Sequence, residues 1–253
     1  MNLKGKSAIV TAAATGLGKT IAELLASQGV SVAIADVDQA AAQSVATTIE
    51  TAGGKAMGVA MDVTNEMAVN SATDRVASAF GGVDILVSNA GIQIVKPIEN
   101  YSLADWKRVL AIHVEGAFLT TRAALKYMYP DKRGGTVIYI GSVHSHEASA
   151  LKSDYLSAKL GLLGLARVLA KEGAAHNVRS HVIVRKPLVD AQIPEPAREP
   201  AISQEEVARR VMLNGTVDGI FTTVEETVLF LCEFPSAALT GQSFVVSHDW
   251  FMQ

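Results

Sequence analysis

The chain has 253 residues, 49% of them hydrophobic and 19% charged. That is enough apolar side chain for a sizeable buried core, and it excludes a disordered, collagen-like or coiled-coil polymer. Its 22 basic and 25 acidic side chains leave a net charge of −3 without a basic stripe, which argues against a nucleic-acid partner.

The single cysteine, Cys232, excludes an intramolecular disulfide and a cysteine-based zinc site, and no metal is expected. The first residues lead straight into a strand-like run without an apolar signal region. The longest apolar helical stretch, 160–170, is short and carries Arg167. A soluble cytoplasmic protein with no membrane partner is expected.

Short β-rich runs at 7–11, 31–36, 55–62, 83–89, 136–141, 178–184 and 242–247 alternate with helical patterns. Most runs are apolar on both faces, as Ile85-Leu86-Val87 and Val137-Ile138-Tyr139-Ile140 show. That is the pattern of parallel strands covered on both sides. Helical stretches stop at Gly29 and at Gly53-Gly54. The alternation predicts an α/β doubly wound (Rossmann) sheet of about seven parallel strands with helices on both faces. One domain over 1–253 is expected.

Between the first strand and a helix at 19–27 lies Thr11-Ala12-Ala13-Ala14-Thr15-Gly16-Leu17-Gly18. Small residues there let the backbone approach a pyrophosphate, and the helix start offers free N–H groups and a positive dipole end. A tight turn without a ligand is the alternative. Asp36 closes the second run, about twenty residues beyond the glycines, where a carboxylate can accept both hydrogen bonds of an adenosine ribose diol. It would repel a 2′-phosphate, which favours NAD over NADP; capping of the helix near Gln39 is its other reading. Asp62 and Asn89-Ala90-Gly91 end the third and fourth runs at the same sheet edge. The first is placed for an adenine amino group, the second for the lining of a cofactor cleft.

Further along, Ser142 ends the fifth run, and Tyr155-Leu156-Ser157-Ala158-Lys159 places a tyrosine and a lysine on one helical face. A free tyrosine has a pKa of about 10. An ammonium about 5 Å away, at an effective dielectric of about 20, favours phenolate by roughly 3 kcal/mol, or about two pKa units. Tyr155 thereby comes into range for taking an alcohol proton as hydride leaves the adjacent carbon. An incidental pair on an amphipathic helix has the same spacing. After the sixth run, Pro187, Pro194, Pro196 and Pro200 exclude regular structure, and a substrate loop or lid near 185–215 is expected before a helix at 203–213.

In this order and at these separations, the glycine turn, Asp36, Asp62, Asn89-Ala90-Gly91, Ser142 and the Tyr155/Lys159 pair make the chain resemble the short-chain dehydrogenase/reductase family along essentially its whole length. The resemblance implies that Ser142 orients the substrate oxygen and Tyr155 is the acid/base. It implies that Lys159 holds the nicotinamide ribose and lowers the tyrosine pKa. NAD would lie against Thr15, Gly16, Leu17, Gly18, Asp36, Asp62, Val63, Asn89, Ala90, Gly91, Tyr155 and Lys159.

More locally, Asn89-Ala90-Gly91-Ile92-Gln93, Ser142-Val143-His144, the segment 148–155 and Pro187-Leu188-Val189-Asp190-Ala191-Gln192 are similar to the 3-hydroxybutyrate dehydrogenase branch. That similarity implies interconversion of (R)-3-hydroxybutyrate and acetoacetate. Gln93, His144, Lys152 and Gln192 would gather around the short carboxylate, beside Ser142 and Tyr155. Charge-assisted bonds of this kind contribute about 1.5–3 kcal/mol each. Another short-chain dehydrogenase or 3-oxoacyl reductase activity, or an NAD-binding protein with little turnover, are the competing readings. A homotetramer is implied too, with helices at 103–128 and 153–175 pairing across a two-fold and Gly161 and Gly164 permitting close approach.

Several positions depart from the family pattern. Ala12 stands where the turn usually begins with glycine, which costs roughly 1–2 kcal/mol if the backbone there needs positive φ. Ser88 replaces a common asparagine, and His113 stands where most members carry a catalytic asparagine that acts through its main-chain carbonyl, a catalytic role the resemblance implies His113 keeps. Val182-Ile183-Val184-Arg185-Lys186-Pro187 lacks the usual Pro-Gly turn after the sixth strand, as if about four residues were missing.

Overall fold

The computed structural model of the chain describes residues 3–185 and 223–246, apart from 235 and 237. Gln192, most of the expected lid and the expected helix at 203–213 lie outside the described residues.

Strand and helix alternate as β1 (Ser7–Thr11), α1 (Gly16–Ser27), β2 (Ser31–Asp36), α2 (Gln39–Thr51), β3 (Lys55–Ala60), α3 (Glu66–Phe80) and β4 (Ile85–Ser88). There follow α4 (Leu103–Leu110), α5 (Gly116–Met128), β5 (Gly135–Ile140), α6 (Ser153–Gly173), β6 (Val178–Arg185), α7 (Val224–Glu233) and β7 (Ser243–Val246). The strands form one parallel sheet in the order β3-β2-β1-β4-β5-β6-β7. The order reverses between β1 and β4, and ligands of such sheets bind outside the carboxyl ends of the strands at that reversal.

Alternating side chains along each strand feed two separate cores. Ile9, Leu86, Val137, Tyr139, Val182 and Val184 pack beneath the α3, α5 and α6 side. Val10, Val32, Ile34, Val87, Ile138 and Ile183 pack beneath the α1, α2 and α7 side. Every residue of β1 and β4 is buried, which is why these strands read as continuous apolar runs.

β3 and β4 are shorter than the expected runs. β3 stops at Ala60, and Asp62 turns back to accept from Thr64 N and Oγ1, at 2.9 and 2.7 Å. Ahead of β4, Asp84 takes the Ser7 amide and the Lys6 and Arg133 side chains, which clasp the amino end of the sheet. Burial first raises the Asp84 pKa, but the bond from Arg133 and its other partners outweigh that and hold it below the usual carboxylate range.

The expected single helix over 103–128 is also divided. Residues Ala111–Glu115 form a π turn between α4 and α5, closed by Gly116 N donating to Ala111 O. A π turn inserts one residue into the helical ladder and is frequent at functional sites. At its centre stands His113, buried and held to another segment.

Candidate active site

The turn after β1 is shaped by its neighbours. Ala12 has φ of 49°, so the alanine that replaces the family's glycine does occupy the left-handed region. A Cβ on Gly18 would overlap Ala12 O and lie 2.7 Å from Asn89 Nδ2, so only glycine fits there. Asn89 Nδ2 donates to Thr11 O and Ala12 O at 3.0 and 3.2 Å. Thr11 Oγ1 accepts from the Asn89 and Ala90 amides at 2.9 and 3.0 Å. The ends of β1 and β4 are thus stitched side by side. Thr15 begins α1 without a side-chain cap and no acid stands in the first turn, which leaves the dipole end open to an anion.

Relief of the strain at Ala12 is measurable. Ala12→Gly should stabilise the fold by about 1 kcal/mol after the entropy cost of glycine, raising Tm by roughly 2–4 °C. A lower Tm would mean that the left-handed backbone carries no penalty here.

Asp36 ends β2 half-buried and accepts from Ala14 N at 3.1 Å and from Asp38 N at 3.2 Å. The cap of α2 is Asp38, whose carboxylate accepts from Ala41 N at 2.9 Å. Asp36 is therefore not spent on capping. Asp62 is exposed at the same edge, whereas Val63 is buried and packs where a Cβ on Gly116 would come within 2.8 Å of its Cγ2. The Val63 side chain thus packs into the core.

Beyond β5, Ser142 is buried and opens the one-turn helix Val143–Ser145. Its Oγ accepts from His144 N at 3.3 Å. Ser145 Oγ accepts from Ser142 N at 3.3 Å and donates to Lys159 O at 3.2 Å, joining this corner to α6. Lys159 is buried with Nζ donating to Ile140 O at 2.6 Å and lying 5.4 Å from the centre of the Tyr155 ring. One helical turn therefore delivers the lysine to the tyrosine.

Two imidazoles meet Tyr155 edge-on, His113 at 5.4 Å and His144 at 6.1 Å between ring centres. Burial, followed by the Lys159 ammonium, pushes the His113 pKa down to about 3, so the ring is neutral at ordinary pH. Its Nε2 lies 3.0 Å from Ile92 N and 2.8 Å from Ile92 O, anchoring the segment after β4. A Cβ on Gly91 would overlap His113 Cε1, so glycine there makes room for the ring.

His144 and Lys152 form the second feature. Both are buried, and Lys152 Nζ lies 3.3 Å from His144 Nε2. Burial lowers the pKa of each, and the neighbouring Lys152 cation lowers that of His144 further. A neutral His144 accepts from the ammonium, which has no carboxylate within ion-pair distance among the described residues. A partly desolvated cation of this kind favours an anion. Gln93 is exposed on the segment after β4, and the bond from Lys96 N to Leu151 O (2.9 Å) brings that segment against the turn before Lys152.

The family model for short chain dehydrogenase matches residues 6–199. The chain belongs to the short-chain dehydrogenase/reductase family. This short-chain dehydrogenase is 34% identical to a D-beta-hydroxybutyrate dehydrogenase of Rhizobium meliloti, over 98% of its own length and 99% of the relative. It is 35% identical to a D-beta-hydroxybutyrate dehydrogenase of Cupriavidus necator, over 99% and 100%. It is also 34% identical to a 3-oxoacyl-[acyl-carrier-protein] reductase of Aquifex aeolicus, over 99% of both chains. The crystal structure of a short-chain type dehydrogenase/reductase from Mycobacterium marinum superposes with a TM-score of 0.85 at 28% identity, covering 100% of this chain and 97% of that one. The chain is an oxidoreductase fold of this family, built to use a nicotinamide dinucleotide. No helix among the described residues is long and apolar enough to cross a membrane.

Sequence reasoning missed the residues that hold the dehydrogenase site together. Thr11, Ser145, Tyr101 and Asp154 each bond to a segment carrying an expected site residue. Tyr101 and Asp154 are 53 positions apart and meet only through the fold. No local pattern could have revealed them.

Proposed function

We propose that this short-chain dehydrogenase interconverts (R)-3-hydroxybutyrate and acetoacetate with NAD. The observation that carries the reading is the buried Lys152–His144 pair beside Tyr155, a cationic spot suited to a free carboxylate. The near-equal identity to an acyl-carrier-protein reductase supports a second reading, a 3-oxo substrate without a free carboxylate. Formation of NADH with (R)-3-hydroxybutyrate, compared with neutral secondary alcohols, separates the two. Turnover of neutral alcohols alone would reject the first.

The residues fit a nicotinamide dinucleotide. Gly18 lets α1 pack directly against Ala12 O and Asn89, the start of α1 carries no side-chain cap, and Asp36 offers a carboxylate at the end of β2. When bound, the cofactor supplies the acceptor for the hydride from C3 of the hydroxy acid. In our reading Tyr155 takes the hydroxyl proton onto its phenolate oxygen, so a carbonyl forms as hydride and proton leave. Lys159, held by Ile140 O, steadies the phenolate by its charge and reaches the nicotinamide ribose. Ser142 orients the substrate oxygen, and His113 keeps the segment after β4 in place through Ile92. Lys152 and His144, with Gln93 and Gln192, hold the carboxylate.

Cofactor choice rests on Asp36 and has its own test. Asp36→Ala should weaken NAD binding by about tenfold and relax discrimination against NADP, because a ribose acceptor and a repulsive charge are lost together. Cofactor titrations of both proteins read this directly, and a preference of the unmodified protein for NADP would refute the role of Asp36.

The proposal extends to a homotetramer. Phe118, Leu160 and Val168 on α5 and α6 are 47%, 47% and 52% exposed, and a Cβ on Gly164 would meet nothing within 4 Å. These features support close packing of α5 and α6 against a second copy.

A further inference from the structure

One hydroxyl stands where three segments meet around the carboxylate pocket. Tyr101 Oη lies 2.7 Å from Ile94 O, 2.9 Å from Asp154 Oδ1 and 3.2 Å from Leu151 O, and its single proton is shared among these acceptors. Each acceptor neighbours a residue of the proposed site: Ile94 follows Gln93, Leu151 precedes Lys152, and Asp154 precedes Tyr155.

The surroundings show why such a tie is needed. Leu151 has φ of 66°, a left-handed backbone that is costly for a residue with a side chain. Its side chain does not pin it, since it is 47% exposed. The Leu151 carbonyl is held instead by Lys96 N at 2.9 Å, with Tyr101 Oη 3.2 Å away. Strained residues persist where several contacts over-determine them. Asp154 is fully buried, and its Oδ1 accepts from Tyr155 N at 2.6 Å and lies 2.9 Å from Tyr101 Oη, so the same hydroxyl reaches the first turn of α6. Nearby, the Lys96–Asp105 ion pair at 2.8 Å fastens this segment to α4.

We propose that Tyr101 is a positioning residue for carboxylate binding. Its hydroxyl sets the spacing between the segment carrying Gln93 and the turn carrying Lys152, so that both close on one carboxylate. It acts through those residues and not on the reacting atoms. The inference rests on the carboxylate reading of Lys152 and His144.

Tyr101→Phe keeps the ring and removes the tie. Amide hydrogen exchange on the protein without substrate should quicken at 93–101 and 150–156 and stay unchanged in β1 to β5. In turnover, KM for (R)-3-hydroxybutyrate should rise about fivefold to tenfold, with kcat and KM for NAD within about twofold of the unmodified protein. Unchanged exchange, or quickened exchange with unchanged KM, overturns the proposal. So do equal losses in kcat and NAD affinity with faster exchange across the sheet, which would mark a general structural role. Absence of turnover on the acid by the unmodified protein strikes the carboxylate reading itself, while the exchange experiment still reports whether the tie exists.

Discussion

Tyr155→Phe should lower turnover by about 10²–10⁴-fold while leaving NADH affinity within about twofold. The ring survives the change, so its edge contacts with His113 and His144 and the start of α6 remain in place. Only the oxygen that carries the proton is lost. His113 is unsuited to replace it, because a ring held neutral down to about pH 3 has little tendency to accept a proton at neutral pH. Steady-state rates together with a fluorescence titration of NADH separate the chemical step from binding. Retained turnover in the phenylalanine protein would remove Tyr155 from the mechanism.

For Lys152→Ala the expected result is a rise in KM for (R)-3-hydroxybutyrate of about tenfold to hundredfold, with little change for a neutral secondary alcohol. The ammonium meets the carboxylate in both the ground and transition states, so its loss is mostly one of uniform binding and kcat changes less. A pH dependence should accompany the defect. Burial and then the Lys152 cation keep the His144 pKa below its ordinary value, and removing the lysine removes one of those two causes. The pKa of His144 then rises, and a larger share of it is protonated as pH falls. A protonated His144 partly restores the missing charge. The ratio of variant to unmodified KM should therefore shrink between about pH 8 and about pH 6. Equal effects on charged and neutral substrates, or a ratio independent of pH, would assign Lys152 to a structural role.

The parts of this protein legible in its sequence are those set by local chemistry. β1 and β2 carry the expected bounds because apolar runs between turn residues leave few choices. Ala12 adopts the positive φ that its place in the turn demanded. The Tyr155/Lys159 pair meets at the separation that one helical turn dictates. What local patterns hid was set by contacts distant along the chain. The carboxylate of Asp84 is claimed by Lys6 and Arg133, and the bond between Tyr101 and Asp154 exists only once α4 and α6 have packed. The π turn was hidden for a related reason. The apolar period across 103–128 suits an unbroken helix, and only the docking of His113 on Ile92 marks where it shifts.

That shift decides what the two halves of the helical stretch can face. Each residue advances an α-helix by about 100°, so one inserted residue rotates everything after it by roughly that angle relative to a straight continuation. α4 lies with Val109 its only buried side chain, while α5 turns Ala117, Thr120, Ala123 and Ala124 inward. The insertion works as a phase adjustment between two gears on one shaft. Lengthening or shortening the stretch by a single residue there would turn either the rim of the active site or the packing of the sheet out of mesh.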